Sequence, residues 1–416
     1  MALSVDVYPP AIVPARNPVV FQISADIGSP QKQNHRIGLQ VLRREGNLDV
    51  LVFEDLVTPW FNGNRAIARF EISELLITSL RSDFNLHESA GFHIRVSRPD
   101  VLKPFFIKYY EEFGDPATVD VVKTSRWFYS LFGGVPTWKQ VEIFDSYDNL
   151  TKYFNLSNRL FLSWHWFPKV TDTNAPERLY LIVPREPGTS NFVLRVTRHY
   201  FDDGDDFEDF NLGHTLQLGQ AFEVDVSYKA VIESHASNFS GYSIQVISVD
   251  ESFFSEEFHF NMDFRWLPNL RYFMFLNSLG AYECVRFTGE AIHDLSFTRQ
   301  MFLETDLQEY ASDSASRGQT LPEVIRGFKV NTGWISKEEV LWMQDFLSSQ
   351  SVFEIKGTRR IPVLIRQDKT ELYKDASHLN ALTIEMEYID LPTVFQRDPD
   401  LTWQDVAEVV PPYQED

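Results

Sequence analysis

Arg265-Trp-Leu-Pro-Asn-Leu-Arg-Tyr-Phe-Met-Phe-Leu-Asn-Ser-Leu-Gly-Ala-Tyr-Glu-Cys-Val-Arg-Phe-Thr-Gly289 is the stretch whose reading decides the fold. Aromatic side chains bury much area each and favour strands over helices. The whole chain shares the bias: 14% of its 416 residues are aromatic, and 35 are Phe. Helical proteins lean on Ala and Leu instead. The run is built to pack and to be packed against, and no catalytic motif accompanies it. Trp266, Phe273, Phe275 and Tyr282 are its candidate interface anchors. The residues alone leave open whether the run is core or interface.

Downstream, from Phe328 to Asp390, the pattern is strand, helix, strands. Ser336-Lys-Glu-Glu339 spells a capping box. It opens a helix whose apolar side is Val340, Leu341, Met343, Phe346 and Leu347. Ile361-Pro-Val-Leu-Ile365 is a strand. Leu382, Ile384, Met386 and Tyr388 alternate with polar residues and point inward on the cleanest amphipathic strand of the chain.

Upstream, strand-like segments recur between turn signals. They begin at Asn17, Ile37, Asp49, Phe92, Pro104, Phe161, Leu179, Phe192, Ala221, Tyr242 and Phe258. Ile72, Leu75, Leu76 and Leu80 fall on one helical face, which predicts a short helix. A weaker helical pattern runs from Lys139 to Asn149. Phe297, Met301, Leu303 and Leu307 share one face of an alternating stretch. The expected fold is mainly β with a few short helices: tandem β-sandwich-like domains plus a small α+β C-terminal module. The expected division is an extended N-terminal arm at 1–16, a β-rich region at 17–215, and a second sandwich at 216–320. The α+β module follows at 321–390, and an acidic tail at 391–416. Trp403, in that tail, is a further candidate interface residue.

The formal net charge is −21. That argues against nucleic-acid binding and against docking on anionic membrane, both of which need Lys and Arg. Cys284 is the sole cysteine, so no internal disulfide or thiolate metal site is expected, and a buried structural thiol is. Residues 1–10 lack the basic and apolar regions of a secretion signal. No apolar run is long enough to span a membrane. Synthesis in a cytoplasm is the expectation.

Candidate chemistry is thin. Asp202-Asp-Gly-Asp-Asp-Phe-Glu-Asp209 could serve calcium, but its spacing departs from an EF-hand loop, and a solvated acidic loop is expected. On a strand, Trp164 and Trp166 share a face opposite His165, which makes them the candidate glycan contacts. The ten histidines, His199 and His259 among them, show no ligand spacing. No hydrolase, metalloprotease, phosphate-loop or dinucleotide motif is present. The expectation is no enzyme, no metal and no cofactor.

Tyr272-Phe-Met-Phe-Leu-Asn-Ser-Leu-Gly-Ala-Tyr-Glu283 followed by Phe287-Thr-Gly289 resembles a stretch recurring in β-rich tail and baseplate structural proteins of tailed bacteriophages and prophages. So do Arg16-Asn-Pro-Val-Val-Phe21 and the final module. That module carries Thr332-Gly-Trp-Ile-Ser336, Leu347-Ser-Ser-Gln-Ser-Val-Phe-Glu354, Ile361-Pro-Val-Leu-Ile365 and Leu382-Thr-Ile-Glu-Met386. The resemblance covers about half the chain by spacing and aromatic placement, and carries over no catalytic residue. It implies a virion component made in the host cytoplasm. Its partners would be copies of itself and other tail or baseplate proteins, with a host-surface glycan as the alternative partner.

Overall fold

Alternating strands dominate the computed structural model, and helices are few and short. It describes residues 3–389 apart from 27–31, 46–47, 85, 87–94, 137–138, 142, 144–145, 147–148, 157, 184–191, 202–203, 213–218, 232–238, 304–316, 320–322, 368 and 374–378. Two units divide the chain. One takes Met1–Asp263 with Leu276–Cys284, the other Phe264–Phe275 with Val285–Asp416.

The first unit contains two cores, each lying between sheets. In the first, Ser4–Val7, Val20–Asp26, Arg65–Glu71 and Trp60–Asn62 form one sheet in that order. The facing sheet runs Ile12–Pro14, Phe128–Leu131, Leu102–Phe113, Arg36–Glu45, Leu48–Val57, with Thr118–Thr124 also paired to Leu102–Phe113. Alternation sends Phe21, Ile23, Ile37, Leu39, Val41, Phe105 and Ile107 into the shared core, where they are fully buried. The short helix Ser73–Thr78 adds Leu76 to it.

The residues expected as a free arm are part of this core. Ser4–Val7 pairs antiparallel with Val20–Asp26, and Ile12–Pro14 pairs parallel with Phe128–Leu131. Leu3, Ile12, Val13 and Ala15 are buried. The prolines disguised the segment: Pro14 ends a strand at a sheet edge, where a missing N–H is tolerated.

The second core lies between a five-stranded and a three-stranded sheet. The larger runs Lys169–Thr171, Phe254–Met262, Phe239–Ser248, Phe192–Tyr200, Asp205–Asn211. The smaller runs Arg178–Ile182, Ala221–Asp225, Arg95–Ser97. Leu181, Leu194, Val196, Val224, Tyr242, Ile244 and Val246 fill the space between. These ladders cross the boundary expected near residue 215. Phe192–Tyr200 bonds to Phe239–Ser248, and Arg178–Ile182 to Ala221–Asp225, so no domain border fits there.

Among the described residues the second unit is built on a seven-stranded sheet, whose first two strands include Leu276 and Tyr282–Cys284 of the first unit, with one helix and a further strand pair. Its order is Tyr282–Phe287, Arg271–Leu276, Val352–Lys356, Arg359–Ile365, Thr383–Tyr388, Glu323–Asn331, Ala291–Thr298. This sheet joins segments expected on both sides of residue 320, so that border also disappears. Helix Lys337–Leu347 starts at the expected box: Ser336 Oγ accepts from the Glu339 N–H at 3.1 Å, and Glu339 Oε2 accepts from the Ser336 N–H at 2.8 Å. Such a cap is worth about 1 kcal/mol. Val340, Met343 and Phe346 are buried as expected. Leu341 faces outward, and Trp342 takes the inward place, stacked edge-on against Phe275 at 5.5 Å. Trp342 and Phe346 are four residues apart and so share a face. Phe346 also meets Phe287 at 5.6 Å. Leu382, Ile384 and Met386 are buried as their alternation requires.

Candidate functional site

The aromatic run divides by position. Phe273 and Phe275 are fully buried in the second unit, with Phe346 at 6.3 and 5.3 Å. They are core residues and present no surface to a partner, contrary to the expectation of interface anchors. Tyr282, which belongs to the first unit, is also buried there, 4.7 Å from Phe84. Trp266 is 67% exposed and retains the character of an anchor. Trp403 lies outside the described residues. The turn within the run is closed locally: Asn277 Oδ1 accepts from the N–H groups of Leu279 and Ala281 at 3.0 and 2.9 Å. Gly280 there has φ +83°, and a Cβ would collide with the Phe132 carbonyl oxygen. Cys284 is buried, and burial pushes its thiol pKa well up, which keeps it protonated and unreactive.

Trp164 and Trp166 do not form a shared platform. Only Phe161 of the expected strand makes a β-bridge, to Leu181. Beyond it, Ser163 Oγ accepts from the His165 N–H at 3.0 Å, a local bond that competes with a ladder. Trp164 is 7% exposed and donates its indole N–H to Ser278 Oγ at 2.7 Å, while Trp166 is 66% exposed. His165 is buried like Trp164, and burial lowers the pKa of its imidazole well below the usual range, which holds it neutral.

The acidic segment is not a loop. Asp205–Asn211 is an edge strand paired with Phe192–Tyr200, and Asp202 and Asp203 lie outside the described residues. Its carboxylates face cations one strand away. Arg195 donates to Asp209 through two bonds at 2.8 and 2.9 Å, Arg198 pairs with Asp206 and Glu208, and His199 Nδ1 lies 2.9 Å from Asp205 Oδ1. Carboxylates spread along a strand and answered singly do not converge on a calcium ion.

Two features escaped the sequence reading. The first is a two-stranded ribbon on the second unit. Ala291–Thr298 pairs with Glu323–Asn331 from Ala291↔Val330 to Thr298↔Glu323, and Met301–Leu303 continues it against Arg317–Gln319. Thr383–Tyr388 supports only Gly327–Asn331, so from Leu295 outward no third strand is paired among the described residues. Nine residues of strand span roughly 30 Å. Ile292, Leu295, Phe297, Met301 and Phe302 are all exposed, Met301 by 74%. The shared face of Phe297 and Met301 was legible in the alternation; its exposure was not.

The second is a histidine–carboxylate cluster on the outer face of the five-stranded sheet. His199, Glu257 and His259 each offer one ligand atom, and these lie within 4.8 Å of one another. The signal was partial. Glu257 and His259 alternate with inward Phe258 and Phe260, so both face out; His199 joins them only through strand order.

A half-open cleft of about 380 Å³ in the first unit is lined in part by Arg43, Arg44 and Lys103. All three cations pair with Glu45, Asp49 and Asp100 respectively, so the cleft offers no uncompensated charge.

No family model matches the chain. No curated protein matches it either. Among solved structures, similarity is found to the extracellular region of plexin A4, at 8% identity and TM-score 0.17, covering 64% of this chain and 25% of that one. It is also found to dimeric latent PorU from Porphyromonas gingivalis, at 10% identity and TM-score 0.17, covering 79% and 31%. The chain thus aligns to between a quarter and a third of those proteins, and at that TM-score neither likeness bears on fold or function. Among the described residues no helix is long and apolar enough to cross a membrane.

Proposed function

We propose that this chain is a structural component of a phage tail tip or baseplate, which assembles with copies of itself and with neighbouring tail proteins. The observation that carries the assembly reading is the ribbon formed by 291–303 with 317–319 and 323–331. An edge strand that leaves apolar side chains in water is a liability for a protein that stays alone. It is an asset for one that is covered on assembly, by strand addition or by apolar packing. Trp266, also exposed on the second unit, adds a large anchor of the kind enriched at interface centres. The tail assignment rests on the sequence resemblance, which the β-rich architecture accompanies. Glycan recognition has lost its main support, since Trp164 is buried. The many carboxylates form ion pairs without singling out a hydrolytic couple.

Immunogold electron microscopy of particles from the producing culture tests the reading. Gold at one end of a tail is the expected result. Particles without label, with the protein confined to the soluble fraction, would overturn it. A chain carrying Phe297→Asp and Met301→Asp should fold, elute as a smaller species than the wild type and fail to enter particles.

A further inference from the structure

We propose that His199, Glu257 and His259 form a binding site for a divalent transition metal of the zinc class, with Asp205 as the positioning residue for His199. The three donors come from two strands, Phe192–Tyr200 and Phe254–Met262, separated by Phe239–Ser248 in the five-stranded sheet. Ladder register brings them together. His199 stands opposite Gly241, and His259 opposite Ser243, the next outward position on the middle strand. Gly241 therefore puts no side chain between the histidine strand and its neighbour. The two imidazole rings lie 6.2 Å apart between centroids, and His259 Nε2 is 3.8 Å from Glu257 Oε2.

The second observation lies behind the donors. Asp205 Oδ1 is 2.9 Å from His199 Nδ1. A carboxylate at that nitrogen favours the tautomer with its proton there, so that Nε2, which faces the middle strand 3.3 Å from Ser243 Oγ, can turn its lone pair to an ion. Metal-ligating histidines are oriented in this way by a carboxylate on the far nitrogen. Glu257 is oriented too, since Ser243 Oγ–H donates to its Oε1 and leaves Oε2 toward His259. Two imidazoles and one carboxylate are a ligand set for zinc with a coordination position left open. Imidazole donors disfavour calcium and magnesium, which take oxygen.

Bond lengths of about 2.0–2.2 Å to zinc require the donors to approach more closely than 4.8 Å. The side chains of Glu257 and His259 are 38% and 46% exposed, so rotation about their own bonds can close that gap. Open exposure also supplies the entry path. The bound ion would tie two strands across the middle one on the face opposite the core.

The test is zinc titration by calorimetry of the full chain after chelator treatment, with His199→Ala, His259→Ala, the double variant and Asp205→Asn. One ion per chain is expected for the wild type, with a raised unfolding temperature in the presence of zinc. Each histidine variant should lose at least about 100-fold in affinity, and Asp205→Asn roughly 10-fold at unchanged stoichiometry. The site is disproved if the wild type takes up no zinc, or if the folded double variant binds it as tightly as the wild type. Calcium binding of equal strength would overturn the assignment of metal class.

Discussion

The two units differ in what fills their interiors. In the first, charges run through the interior. Lys169, 13% exposed at its side chain, donates to Glu177 Oε2 and to the Cys284 carbonyl, both at 2.5 Å. Burial opposes its charge, but Glu177 and Glu283 outweigh that and raise its pKa. Glu223 is shared by Arg98 and Arg178, and Arg178 pairs in turn with Asp225. In the second unit, a cluster of rings fills the core beside buried Glu354. Phe273, Phe275, Phe287 and Phe346 interlock edge to face or tilted, and buried Glu354 is answered by Arg271, Lys356 and the Tyr388 hydroxyl. Ring packing adds stability by removing apolar area from water. A buried ion pair adds little over apolar groups of the same shape, yet losing one partner strands the other. The first unit should therefore be brittle toward single charge deletions, and the second toward loss of volume.

The largest effect is expected from Glu223→Ala, which leaves Arg98 and Arg178 without their common acceptor. It should cost about 5 kcal/mol, read as the shift of the urea midpoint. Replacing all three residues with apolar ones should recover most of the loss; failure to do so would show that the network contributes more than compensation for its own burial. Phe273→Ala should cost about 4 kcal/mol through the cavity it leaves among the rings. Phe273→Leu should cost much less, and equal losses would mean that ring geometry outweighs volume.

A third prediction concerns pH. Glu256 accepts from the N–H groups of Leu160 and Phe161 at 2.8–3.0 Å, yet burial raises its pKa from the ordinary 4.5 to about 7. Between those values the folded state binds the proton more tightly than the unfolded one. Its contribution is therefore full below about 4.5 and is lost as pH rises through 7, by no more than about 3 kcal/mol. Glu256→Gln should remove that slope from urea midpoints measured across the window. An unchanged slope would place the titration elsewhere. The smallest effect belongs to Trp266→Asp, which should alter stability by less than about 0.5 kcal/mol, as surface changes do. Under the assembly reading it should weaken association of the folded chain.

What was legible in the sequence follows the range of the interactions. The Ser336–Glu339 box and the Leu382–Ile384–Met386 alternation are complete within a few residues, and both are as expected. Leu341 and Trp342 were exchanged because adjacent residues on a helix point only about 100° apart, and the apolar pattern alone does not decide which of the two faces the core. Trp164 and Trp166 alternate as a strand would, but a Ser163 side-chain bond takes the backbone out of the ladder. The domain borders were misplaced because ladders join segments far apart in the chain. His199, Glu257 and His259 belong to the same class: register between strands, not spacing along them, puts them together.

Ile12–Pro14 lies parallel to Phe128–Leu131, with Ile12 opposite Tyr129. Ile12–Pro14 is synthesised well before its partner and thus waits for the last strand of its sheet. At about 5–20 residues per second, that delay is on the order of ten seconds. During it Ile12 and Val13 have no partner strand to shelter them on that edge, and the contact that ends the wait has a high loop-closure cost. Chaperone dependence of the nascent chain should therefore concentrate on this early window.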